Sequence, residues 1–375
     1  MKAGASRIGM AAAVSALLLT GAAPASQASE SRGFAVTWFM PAMYNGEDDC
    51  PKGMQPPIDF KDLFTKQGRS PAEVKDLIDH PISPPFVKAL IYRGKDGANV
   101  CEKPTSAADP GLITAEGSHA FGMDLDGAAD DAKPAPNTCP HKSFLGPNGE
   151  KGVDNQLYRV IGCLEGHRGT RGNDGFVFQY IMERMRAEGM MTYLIEVTGI
   201  DDEKNDPDVE VSIYLGADPL VQDARGEVQA DTTQRINPDP RWHNHVRGRI
   251  KDGVLQTDSF DLHLLGSTMW MPVLDFKHAQ LRLTLNADGT AKGYLGAYVG
   301  IDSLYYNSAK SGFLAEVFSS GNCPGYYYAM KRMADGMPDP KTGECTALSA
   351  AYAIEAIRAF VIHPAGEKPA QTAQK

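Results

Sequence analysis

The chain has 375 residues, 42% of them apolar, with 37 basic and 47 acidic side chains and a formal charge of −10 at pH 7. That length and apolar content allow a large packed core, as two domains or as one large β domain with insertions. The acidic balance argues against nucleic acid and anionic membranes as partners and is compatible with cations, neutral sugars or basic proteins.

In chain order, the first segment stands outside the expected fold. Lys2 and Arg7 precede the apolar run MAAAVSALLLTGAA, which is too short to span a bilayer, and the small residues of APASQASES follow. Residues 1–28 therefore read as a secretory signal peptide, cut after Ala25 or Ala28; a membrane anchor would need a longer apolar stretch. Its removal leaves 35 basic against 47 acidic side chains, a charge of −12. No later segment is apolar enough for a transmembrane helix, so the expected location is the periplasm or the medium.

Residues 29–170 read as a loop-rich region. GFAVTWFMPAMY and PFVKALIYRG have the composition of short strands. Ser70-Pro71-Ala72-Glu73 combines an N-cap, a proline at the first helical position and a capping-box glutamate, which predicts a helix over PAEVKDLIDH. The acidic stretch HAFGMDLDGAADD and the turn-rich LGPNGEKGVDNQLYRVIGC follow.

Residues 171–363 open with a helix. Asn173 or Asp174 caps it, Phe176, Val177, Tyr180, Ile181 and Met185 recur at helical spacing, and Gly189 ends it. From Met191 the period changes to two, through MTYLIEVTGI, VEVSIYLGA, HNHVRGRIKDG, VLQTDSFDLHLL and WMPVLDF. QLRLTLNADGTAKGYLGAYVG reads as a hairpin turning at Asp288-Gly289. GYYYAMKRMADG and CTALSAAYAIEAIRAF then read as a helical pair, and 364–375 as a disordered tail. The expected fold is mainly β with peripheral helices (α+β), a β-sandwich or jelly-roll-like core carrying disulfide-stapled loops.

Six cysteines in an exported chain imply three disulfides. Sequence order favours Cys50–Cys101, Cys139–Cys163 and Cys323–Cys345. There is no CxxC motif, which argues against a thioredoxin-type site and against cysteine-ligated zinc.

The acidic stretch is the leading candidate site. With Gly127 at the invariant glycine position of an EF-hand, Asp126 and Asp124 fall on ligand positions. Gly122 then replaces the first ligand and Lys133 the bidentate glutamate, so the template fails. A looser calcium site remains, with Asp124, Asp126 and Asp130 joined by Asp154 and Asn155 from the second loop; packed carboxylates repel each other unless a cation lies among them. The alternative is a strand through Phe121, Met123 and Leu125 that ends in an Asp-Gly turn with solvated acids. MDLDG resembles calcium loops over those positions alone and implies no activity.

His243 and His245 share one strand face and could hold zinc with His263 or Asp261, although solvent-facing strand histidines are common. Asp154, Asn155, Arg159, Glu165, His167 and Arg168 form a polar cluster suited either to acid–base chemistry or to satisfying buried backbone groups. Tyr305, Tyr306 and Tyr326–Tyr328 could stack on sugars, but burial in the core accounts for them more simply. No nucleophile elbow, P-loop or dinucleotide fingerprint occurs.

These features predict an exported, non-catalytic protein of a bacterial-type cell envelope, stabilised by calcium, that binds an envelope protein or a carbohydrate. An extracytoplasmic hydrolase using a metal or paired acid and base residues is the alternative. A structural subunit of a surface assembly is a third.

Overall fold

The computed structural model describes residues 1, 30–57, 59–66, 68–79, 97, 99–128, 136–169, 175–266, 271–309 and 318–364. The signal segment, the strand expected over PFVKALIYRG, the caps Asn173 and Asp174, and Asp130 lie outside them. Strands run β1 (Glu30–Pro41), β2 (Tyr193–Ile200), β3 (Asn205–Leu215), β4 (Thr232–Arg235), β5 (His243–Lys251) and β6 (Val254–Thr257). They continue as β7 (Phe260–Leu265), β8 (Val273–Leu285), β9 (Thr290–Gly300), β10 (Gly336–Pro338) and β11 (Cys345–Ile362). Helices are α1 (Phe60–Lys66), α2 (Pro71–Asp79), α3 (Gln156–Ile161), α4 (Phe176–Glu188), α5 (Ile301–Ala309) and α6 (Cys323–Met333).

The mainly β composition matches the expectation; the sandwich or jelly-roll does not. The strands pair in the order β1-β2-β3-β5-β6-β8-β9-β11, and β11 pairs back onto β1, so eight antiparallel strands close into a barrel. Alternation reports only that one face of a strand is buried, and a barrel and a sandwich both satisfy it. What decides between them is β11, whose residues 352–357 pair with β9 on one side and with β1 on the other. Closure leaves no open edge on the ring. β4 adds in parallel beside the end of β11, β10 pairs with its start, and β7 pairs with β8.

β11 also corrects the second helix of the expected C-terminal pair. Its alanines favour helix, but Leu348, Ala350, Tyr352, Ile354 and Ala356 are all buried at period two. Pairing on both flanks outweighs the intrinsic preference.

The barrel is filled by its own side chains, as an eight-stranded barrel allows. Phe39 packs against Tyr193, Phe276 and Tyr352 at ring-centroid distances of 5.5, 6.1 and 5.2 Å. Leu255, Leu281, Leu283, Leu295 and Val299 join the same core. Charged residues such as Arg249, Lys277, Arg282, Lys292 and Glu355 lie on the outer wall. Apolar inside and charged outside is the reverse of a membrane barrel. Among the described residues no helix is long and apolar enough to cross a membrane.

Local readings hold where the chemistry is local. Ser70 and Glu73 exchange the reciprocal bonds of a capping box at the start of α2, at 2.7 and 3.3 Å. Gly189 closes α4 in the left-handed region at φ 63°. The β8–β9 hairpin turns at Asp288-Gly289. In α6, Tyr326 is buried while Tyr327 and Tyr328 are half-buried, in line with the core reading.

All six cysteines are paired, as Cys50–Cys163, Cys101–Cys323 and Cys139–Cys345. None of the three pairings expected from sequence order occurs. Loop-closure entropy rises only logarithmically with length. Closing the 206-residue separation of Cys139–Cys345 costs only about 2 kcal/mol more than closing the rejected Cys139–Cys163 loop. Barrel topology brings the distant partners together and overrides that difference.

Candidate metal centre

The acidic stretch packs on β9, and the start of α3 on β11. Gly296 of β9 makes the seat: a Cβ there would lie 2.8 Å from both Met123 and Leu125. Met123 pairs with Asp154 in an antiparallel bridge, which brings the acidic stretch to the second loop. Asn155 then caps α3, accepting from the Tyr158 N–H at 3.1 Å and donating to the Phe121 carbonyl at 2.9 Å.

Each carboxylate has one oxygen fixed by backbone. Asp124 Oδ1 accepts from Gly127 N at 2.6 Å, across a turn that needs the positive φ of Gly127, 74°. Asp126 Oδ1 accepts from Ala128 N at 2.7 Å, and its Oδ2 is buried without a partner. Asp154, 1% exposed, takes the N–H of Leu125 on Oδ2 at 2.8 Å and turns Oδ1 to His141 Nε2 at 2.8 Å. The other His141 nitrogen, Nδ1, is 2.9 Å from the Cys139 carbonyl.

The ligating atoms of Asp126, His141 and Asp154 all lie within 4.8 Å of one another. Two further buried groups interact electrostatically with them. Asp335, 0% exposed, accepts from Ser349 N at 2.6 Å on one oxygen and has no partner on the other. Tyr298, 4% exposed, has a buried hydroxyl without a partner.

The electrostatics follow from this crowding. Burial alone would lower the His141 pKa, but hydrogen bonds to Asp154 and the Cys139 carbonyl, with the charges of Asp335 and Asp154, bring it up to about 9. Burial pushes the Asp335 carboxyl up to about 7; the Asp154 charge adds to this, and Ser349 and His141 oppose it. Burial and the neighbouring charges of Asp154 and Asp126 raise Asp124, against the Gly127 hydrogen bond. Burial, then the charges of Asp335, Asp154, Asp126 and Asp124, raise the Tyr298 hydroxyl.

The structure therefore brings Asp124, Asp126 and Asp154 together. It places Asn155 beside them with its amide engaged in capping. His141, Asp335 and Tyr298 were not singled out in the sequence. His141 could have been found from its position beside Cys139; Asp335 could not, because long-range contacts such as the Cys139–Cys345 bridge and the Thr138–Gly336 pairing carry it to the site.

The other candidates are committed elsewhere. His243 Nε2 is 2.7 Å from the Asn237 carbonyl and His245 Nδ1 is 2.8 Å from Ser212 Oγ, both rings edge-on to Tyr214. His263 stacks on Trp242 and Asp261 pairs with Lys277, so neither completes a zinc set with them. Arg159 donates to the carbonyls of Ala115, Gly117 and Lys142, and Arg168 to those of Gly162 and Gly46 and to Asp49. His167 is buried between Phe178 and Phe318. These last three serve buried backbone and packing.

Compared with family models, curated proteins and solved structures, the chain gives no match.

Proposed function

We propose that the protein is an exported, non-catalytic binding protein of the cell envelope, in which a divalent cation fixes the acidic stretch against the barrel. The observation that carries this reading is the meeting of Asp126, His141 and Asp154, with a buried Asp126 oxygen that has no other partner. Two carboxylates balance a divalent charge, and calcium is among the ions that carboxylate oxygens suit. Three disulfides support export.

Because the barrel interior is filled, a ligand would sit on the outer wall. Phe121, just before the acidic loop, stacks on Tyr294 at 5.5 Å, and Tyr294 lines a surface depression of about 430 Å³ with Trp38, Thr284, Lys292 and Glu355. Aromatic rings beside a hydroxyl and an ion pair suit the mixed faces of a saccharide. The cation would hold Phe121, and through it one side of that depression. The hydrolase alternative has less support, because Asp154 and Asp335 are too buried to reach a substrate.

The test is thermal unfolding of metal-stripped protein, with disulfides intact, in EDTA and in added divalent ions. An ion at about 100 times its Kd should stabilise by about 2.7 kcal/mol. The gain should disappear in Asp126→Asn combined with Asp154→Asn. Stripped protein that melts alike in every ion would overturn the reading.

A further inference from the structure

Two carboxylates and an imidazole meet at the cluster, and the imidazole says which class of ion they suit. Resting on the cation reading, we propose that the ion is a first-row divalent transition metal, from manganese to zinc, bound by Asp126 Oδ2, His141 Nε2 and Asp154 Oδ1, and that calcium is a poor substitute.

Three observations carry this. First, one of the three converging ligand atoms is an imidazole nitrogen. Calcium takes six to eight oxygens, whereas nitrogen with carboxylate oxygen suits manganese, iron, cobalt or zinc. Second, His141 is oriented as a metal-bound histidine is. Its Nδ1 meets the Cys139 carbonyl at 2.9 Å, which fixes the ring and turns Nε2 towards the carboxylates. The Leu125 N–H likewise holds Asp154 Oδ2 and leaves Oδ1 facing the site.

Third, two nearly inaccessible side chains that interact with the cluster, Asp335 and Tyr298, each carry one polar atom without a partner. The unpartnered hydroxyl of Tyr298 is subject to the charges of Asp335, Asp154, Asp126 and Asp124 together. The unpartnered oxygen of Asp335 belongs to a side chain whose charge acts on His141. Buried polar atoms without partners are rare and call for a partner. Waters on a small metal ion would supply one to each. The Cys139–Cys345 bridge holds the His141 segment beside β11.

The experiment is calorimetric titration of metal-stripped protein with calcium, manganese and zinc separately, with cobalt(II) as a spectroscopic probe. We expect manganese or zinc to bind at least tenfold more tightly than calcium. Cobalt should give visible d–d bands that are abolished in His141→Ala. Near-ultraviolet circular dichroism of His141→Asn and His141→Ala in EDTA checks folding, and the cobalt spectrum of the parent protein needs no variant. Calcium binding tightest, unchanged by His141→Ala, would overturn the ion class and leave the cation reading standing. No binding of any ion would overturn both.

Discussion

Acid should destabilise this protein through a buried histidine that is not part of the acidic cluster. His167 is 1% exposed, its Nε2 lies 3.2 Å from the Phe318 carbonyl, and the rings of Phe178 and Phe318 flank it, each at 5.2 Å. Burial lowers its pKa from 6.5 to about 4, with the carbonyl opposing. The folded form thus keeps the ring neutral while the unfolded chain protonates near 6.5. Above that pH both states are neutral and no stability is lost. Between pH 6.5 and 4 the unfolded state binds the extra proton, and stability falls by up to about 3 kcal/mol. Below pH 4 both states are protonated and the loss levels off. The assay is urea unfolding in EDTA, with disulfides intact, from pH 7 to pH 4, for the parent and for His167→Gln. Glutamine can still donate to the Phe318 carbonyl but does not titrate. Other groups cancel in the difference, so the parent's advantage over the variant at pH 7 should shrink by about 3 kcal/mol at pH 4. A difference that stays level across that range would refute the buried neutral imidazole.

Further outcomes follow from the same structure. A non-reducing digest should release Cys139 joined to Cys345; a peptide joining Cys139 to Cys163 would contradict the topology. Replacing both Cys139 and Cys345 by serine should cost up to about 5 kcal/mol on the chain-entropy model, given the separation of 206 residues, measured by urea unfolding. Arg159→Met removes the donor shared by three carbonyls and should destabilise by at least about 2 kcal/mol in the same assay; a neutral result would mean that water or another group satisfies them. Gly296→Ala places a methyl group 2.8 Å from Met123 and Leu125 and should cost about 1–3 kcal/mol, with weaker ion binding as the acidic loop shifts; unchanged stability would show that the loop has room to give.

How far the sequence could be read depended on the range of the interaction. The capping box of α2, the Gly189 cap and the Asp288-Gly289 turn are decided within a few residues, and each was legible. The strands from Tyr193 onward were legible from their period. Closure was not, because the pairing of β1 with β11 joins the two ends of the described chain, and nothing local announces it. β11 itself looked helical because alanine dominates it; the alternation through Tyr352 and Ile354 was the available signal. At the site, Asp124, Asp126 and Asp154 were legible as an acidic grouping, but the link expected to hold them together, Cys139–Cys163, does not exist. Their meeting comes from the Met123–Asp154 bridge, and the bond from Cys139 to Cys345 brings in His141 and Asp335 instead. Those long-range contacts change the chemistry from a calcium-like loop to a mixed nitrogen and oxygen set.

On the proposed reading, one divalent ion binds per chain at Asp126, His141 and Asp154. Native mass spectrometry of the disulfide-bonded protein, loaded with manganese or zinc and desalted, tests it most directly. The parent protein should gain the mass of a single ion, and Asp126→Asn combined with Asp154→Asn should gain none. No bound ion in the parent, or an ion retained by the double variant, would contradict it.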